Sequence, residues 1–265
     1  MLKKQQSKLV VANWKMHGCL TSNDVLLHAF TQRAVTLEPQ VRLAVCVPYP
    51  YLAQAQNRLT STSIEYGVQD VSAHTHGAYT GEVAASMVAE FGATLAIVGH
   101  SERRIFHMES SELVAAKAQR ALESGITPII CVGETLDERQ AGKTNSIVYT
   151  QLAAVLDRLD DEADVARLIV AYEPFWAIGT GQIPAVQQIK QVYGAIRAQL
   201  MEKAVNIHVP LLYGGSLKPD NALELFSQSD IDGALIGAAS LSAVDFLEIS
   251  AAVSIALSEN QDDSK

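Results

Sequence analysis

The 265-residue sequence holds only three cysteines, Cys19, Cys46 and Cys131, which form no C-x-x-C pair and no regular spacing. That excludes a disulfide-stapled scaffold, and an odd thiol count without a framework predicts a reducing, cytoplasmic setting. Aromatic residues make up 6%, with 8 prolines and 16 glycines, so neither a collagenous nor a disordered, low-complexity chain fits. Positive charge is scarce as well: 20 Lys and Arg face 29 Asp and Glu, a formal net charge of −9. A general electrostatic grip on nucleic acid or on an anionic membrane is thereby excluded, and any anionic ligand has to be met locally. Long apolar runs are missing too, the nearest candidates being broken by Asp232, Asp245 and Glu248. None reaches the roughly 18 residues of a spanning helix. Near the basic N-terminus an apolar run from Leu9 ends at Asn13, too early for a signal-peptide core, so no export is predicted. His74 and His76 lie at i and i+2, and His100 and His107 lack matching carboxylate or thiolate spacing. No metal is therefore predicted.

What the chain does have is a rhythm. Eight short, nearly continuous apolar runs recur: 9–12, 42–47, 64–67, 94–98, 127–132, 168–171, 207–213 and 233–236. Each is too short for a helix and lacks strict alternation, as strands buried on both faces do. Helical segments separate them, such as 110–124, opened by Ser110 and closed by Gly125, and 185–203, preceded by Pro184 as a first-turn residue. Eight such units in this length predict a single-domain α/β chain folded as a (β/α)8 barrel, residues 1–265, rather than an open doubly wound sheet. The polar tail from about 258 is expected to fray and carry no function.

In that architecture the residues just after each strand form the active rim. Asn13 and Lys15 follow the first run, His100 and Glu102 the fourth, Glu173 the sixth, and the turns Gly214-Gly215-Ser216 and Gly237-Ala238 the seventh and eighth. Singly, Lys15 reads as a solvated rim charge, His100 as a hydrogen-bonded structural imidazole, Glu173 as a cap or ion-pair partner, and the Gly-Gly turn as a tight turn. Together on one rim they supply a base, an electrophile and a cation, a set suited to proton transfer beside a carbonyl, where an enediolate oxygen must be stabilised. Glycine turns after strands 7 and 8 are the usual phosphate seat of such barrels. The segment 174–181, PFWAIGTG, reads either as a lid that would exclude water or as a static connector.

The runs ANWKM, GHSERR, CVGETLDERQAGKT, AYEPFWAIGTG, YGGSLKPDNA and DIDGALIGAASL resemble the triosephosphate isomerase family from Lys8 to about Ala256. The resemblance implies interconversion of dihydroxyacetone phosphate and D-glyceraldehyde 3-phosphate through an enediolate, in glycolysis and gluconeogenesis, without cofactor. It assigns Glu173 as the proton-shuttling base, its basicity raised by burial, His100 as the neutral electrophile, and Lys15 as the cation, placed by Asn13 and organised by Glu102. It also puts the phosphate on amides of Gly179, Ser216, Gly237 and Ala238, with Ile178 and Leu235 pressing on Glu173 in a closed state.

By the same resemblance, Tyr213 and Ser216 receive the closed lid and Glu134 holds Trp176 in the open one. A homodimer is implied, with the loop 69–82 placing Thr80 near the partner's Asn13 and Glu102. The chain departs from the family pattern at His17, at Phe175 in the lid hinge and at Ala238, whose methyl would crowd phosphate or forbid a positive φ. Arg103 and Arg104 read as structural ion-pair residues, and Cys131 as a buried structural thiol. Two rival functions remain on the residues: another sugar-phosphate barrel enzyme, needing different acid and base positions, and a barrel kept as a non-catalytic binding partner, which would have lost a catalytic residue or the lid.

Overall fold

A computed structural model describes residues 7–34, 37, 39–227 and 231–262. Eight strands, β1 (Lys8–Asn13), β2 (Val41–Val47), β3 (Glu65–Val68), β4 (Leu95–Val98), β5 (Thr127–Val132), β6 (Ile169–Tyr172), β7 (Leu211–Tyr213) and β8 (Gly233–Ile236), pair in parallel and in sequence order. β8 returns to β1 and closes the sheet, with Leu9 opposite Gly233 and Val11 opposite Leu235. Each strand buries both faces, which is why the sequence shows apolar runs instead of alternation. In β1, Leu9 and Val11 point into the barrel while Val10 and Ala12 pack outward against the helical ring.

Twelve side chains fill the interior, among them Cys46, Ile97, Ile129, Cys131, Ile169 and Leu235. β3 adds no apolar side chain to this set, its inward positions being Glu65 and Gly67. Gly67 carries no side chain there because a Cβ would lie 2.1 Å from the Leu95 carbonyl oxygen. Burial pushes the Cys131 thiol far up from its ordinary range, and Cys46 likewise.

The helix Ser111–Glu123 is capped as its sequence predicts: Ser110 accepts a hydrogen bond from the Leu113 N–H, and Gly125 leaves the helix at φ +78°. The helix Val186–Lys203 starts one residue later than expected, so Pro184 lies before its cap, and the Gln188 side chain reaches back to the Ala185 N–H. β7 is shorter than the run 207–213. Pro210 has no N–H to extend the ladder, and only its carbonyl is used, by Val170 N–H. The last helix, Ala243–Asp262, carries its backbone on through 258–262, where fraying is expected from the sequence, while 263–265 lie outside the described residues. No helix among the described residues is long and apolar enough to cross a membrane.

Candidate active site

Every strand ends its run at one rim, where a cavity of about 1090 Å³ is lined by Asn13, Lys15, His100, Glu102, Glu173, Ile178, Gly179, Ser216, Leu235, Gly237 and Ala238. The fold thus brings together residues from five separated stretches of sequence. Asn13, 4% exposed at the end of β1, accepts the Lys15 N–H at 3.1 Å. Lys15 holds φ +52°, a left-handed backbone that side-chain-bearing residues seldom adopt and that marks functional sites. Its ammonium meets Glu102 Oε1 at 2.5 Å, and its stem runs past Gly237, where a Cβ would come 3.1 Å from Lys15 Cε.

His100 stands at the N-cap of the helix Ser101–Phe106, and its Nδ1 accepts the Glu102 N–H at 3.2 Å. A ring nitrogen that accepts presents its lone pair on that side, which leaves Nε2 as the donor side of the ring. Nε2 faces Glu173 Oε1 at 3.1 Å. Glu173 is 1% exposed, and its other oxygen accepts the Ser101 N–H at 2.9 Å. Ser101 is a site residue that pattern reading passed over; its only signal is its place directly after His100, at a helix start whose N–H groups lack internal partners.

The segment 174–181 follows Glu173 at once. Phe175–Ala177 forms a single 3-10 turn, and Gly179 and Gly181 take φ +69° and +75°, conformations suited to glycine. Trp176 Nε1 donates to Glu134 Oε1 at 3.0 Å, and Arg139 lies 4.4 Å over the indole ring while pairing with the same carboxylate. Glu134 is fully buried and also accepts the Tyr172 hydroxyl. Ser216 Oγ donates to the Ala177 carbonyl although Trp176 is latched to Glu134, so these two contacts coexist. Tyr213 Oη is buried without a hydrogen-bond partner, a cost a buried hydroxyl does not carry idly.

Ala238 opens the turn Ala238–Leu241 without positive φ, so its methyl imposes no backbone strain; it stands exposed in the cavity. His17 also lines the cavity, and Phe175 lays its ring where Gly133 has no side chain. Thr80 is exposed on the loop after β3, away from this chain's own cavity. Arg103 pairs with Asp70 and Glu109 as expected, beside Lys117. Burial there pushes the Asp70 carboxyl up to about 6 against the pull of Lys117. Arg104 differs from the sequence expectation: its guanidinium bonds the Gly99 and Cys131 carbonyls and the Ser111 hydroxyl rather than a carboxylate. Among the described residues no three His, Cys, Asp or Glu side chains cluster to hold a metal.

A carboxylate, an imidazole N–H and an ammonium around one cavity can remove a proton beside a carbonyl and stabilise the oxygen that gains charge. Comparison with known proteins bears on which reaction that serves. The family profile described as triosephosphate isomerase matches residues 8–253. The triosephosphate isomerase of Cupriavidus pinatubonensis is 54% identical over 246 residues, 92% of this chain and 98% of the relative. That of Ralstonia nicotianae is 54% identical over 244 residues, 91% and 97%, and that of Bordetella pertussis 50% over 249 residues, 94% and 98%. With its site residues gathered on one rim and its match spanning almost all of both partners, the chain belongs to the triosephosphate isomerase family.

Proposed function

We propose that this enzyme interconverts dihydroxyacetone phosphate and D-glyceraldehyde 3-phosphate, and that the rim residues divide the work. The observation that carries the reading is the Glu173 carboxylate, almost wholly buried, hydrogen-bonded to the Nε2–H of His100 in the cavity that also receives Lys15. Glu173 takes a proton from C1 of the ketose, and the electron pair moves through the C1–C2 bond to give an enediolate with charge on O2. His100 Nε2–H and the Lys15 ammonium stabilise that oxygen. Glu173 then returns the proton to C2, while the hydroxyl proton passes from O1 to O2 by way of the imidazole. Asn13 and Glu102 act by holding Lys15.

The phosphate is received by main-chain N–H groups of Gly179, Ser216, Gly237 and Ala238, a role supported by these residues lining the same cavity. For chemistry to begin, Glu173 must exchange its bond to Ser101 N–H for the substrate carbon. Lid closure supplies the occasion: Trp176 leaves Glu134, Tyr213 gains a partner, and Ile178 and Leu235 close on the carboxylate. Water exclusion then protects the enediolate from losing phosphate.

The enzyme works as a homodimer in the cytoplasm. The dimer is supported by exposed apolar side chains, Met16 and Tyr79 on the loops after β1 and β3 and Phe106 and Met108 at and just beyond the end of the helix after β4, with Tyr79 adjoining the exposed Thr80, exposure of a kind that association covers. The cytoplasmic setting is supported by three free thiols. The test is the isomerisation rate of the purified chain with D-glyceraldehyde 3-phosphate, coupled to reduction of the ketose product, alongside sedimentation. Turnover approaching the diffusional ceiling, roughly 10⁸–10⁹ M⁻¹s⁻¹ in kcat/KM, by a species of twice 28.5 kDa is expected. Absent turnover overturns the reaction, and a monomer at working concentration overturns the dimer.

A further inference from the structure

The base and the lid hinge hang on three residues at the end of β5. Glu173 N–H donates to the Val132 carbonyl at 2.8 Å, and Phe175 N–H to the Glu134 carbonyl at 3.1 Å. Between these two anchors sits Gly133. Its missing side chain is required: a Cβ there would fall 1.7 Å from the Glu173 carbonyl oxygen and 2.9 Å from the Phe175 ring. A residue pressed against its neighbours only by backbone has no side chain of its own to fix it. What fixes Gly133 comes from outside the sheet. Gln151, half-buried on the helix Thr144–Leu156, accepts the Gly133 N–H through Oε1 at 2.8 Å and donates from Nε2 to the Gly133 carbonyl at 2.9 Å.

We propose that Gln151 is a positioning residue for the reaction: its amide clamps Gly133 from both sides and so sets the height and tilt of the Glu173 backbone and of the Phe175 hinge. The inference rests on the isomerase reading above. A primary amide is the side chain for this task, since it offers one acceptor and one donor in a plane to a peptide that needs both. Both of these hydrogen bonds of Gln151 go to Gly133, which is not among the residues that line the substrate cavity, so it governs where the base stands rather than how substrate is held. A shift on the scale of 1 Å at the reacting carboxylate can cost up to about a hundredfold in rate.

Two variants test this. Gln151→Met keeps the length and loses both hydrogen bonds; kcat is expected to fall about tenfold or more with KM within about twofold of the parent, the split of a misplaced base and not of lost substrate contacts. Gln151→Glu presents an acceptor and an O–H donor when protonated, but as a carboxylate it can only accept and faces the Gly133 carbonyl with like polarity. Its kcat relative to the parent should therefore recover as pH is lowered from about 8 towards 5, a rescue that a merely structural role would not show. The proposal is overturned if folded Gln151→Met keeps kcat within about twofold, if the loss falls on KM, or if the Gln151→Glu ratio stays equally low across that pH range. Should Gln151→Met fail to fold, the Gln151→Glu profile decides alone. Parent chain that turns over triose phosphate separates these outcomes from failure of the isomerase reading itself.

Discussion

Glu173→Gln is expected to lower kcat by a factor on the order of 10³ while KM and the affinity for a phosphorylated carboxylic acid that mimics the enediolate change little. The amide fills the same space in a site that is 1% exposed, and its oxygen can still accept the Ser101 N–H. It cannot accept a proton from carbon. Its NH₂ also meets the His100 Nε2–H, now donor against donor where a 3.1 Å hydrogen bond stood. Because His100 Nδ1 is committed to the Glu102 N–H, the ring cannot turn over to relieve that clash without losing its own anchor. Steady-state kinetics with calorimetric binding of the mimic would decide the matter. Turnover within tenfold of the parent would remove Glu173 from the role of base.

The second large effect concerns the barrel rather than the chemistry. Gly233→Ala is expected to cost about 4 kcal/mol or more of stability, in the exceptional class of single substitutions. Gly233 begins β8 at φ +149°, and a Cβ there would sit 1.8 Å from the Leu9 carbonyl oxygen. The clash is with backbone on the strand that closes the barrel, so no side-chain rotation relieves it. Gly233 is in register with Leu9 on one side and Leu212 on the other. The flanking bonds from Leu9 N–H to the Asp232 carbonyl and from Asp232 N–H to the Leu211 carbonyl leave the chain little room to move. Equilibrium urea unfolding measures the loss, and a change below about 1 kcal/mol would refute the steric argument.

All eight strands announce themselves in the sequence because burial on both faces leaves an unbroken apolar signature, and the helix ends 110–125 are readable because caps are local chemistry. The run 207–213 overstated β7 for a reason equally local, the proline at 210. Much of the rim is visible for one topological reason: in a parallel barrel, whatever follows each strand shares a face. The same rule locates Asn13, Lys15, His100, Glu102 and Glu173 without any periodicity. It does not locate Gln151, because the clamp on Gly133 links a strand end to the middle of a helix 18 residues on, and no repeat or charge pattern marks that pairing. Nor does it foretell that Arg104 would satisfy carbonyls, since which acceptor a guanidinium finds depends on backbone that only the closed barrel brings near.

The interior thiols make the barrel wall itself observable. Cys46 and Cys131 are fully buried inside the sheet, Cys131 against the Glu173 carboxylate, while Cys19 is exposed beside Ser22 with its thiol drawn below the ordinary range by that hydroxyl. A thiol-directed reagent therefore finds one partner on the folded chain at once and the other two only when strands part. The slow second stage of labelling becomes a clock for opening of the wall.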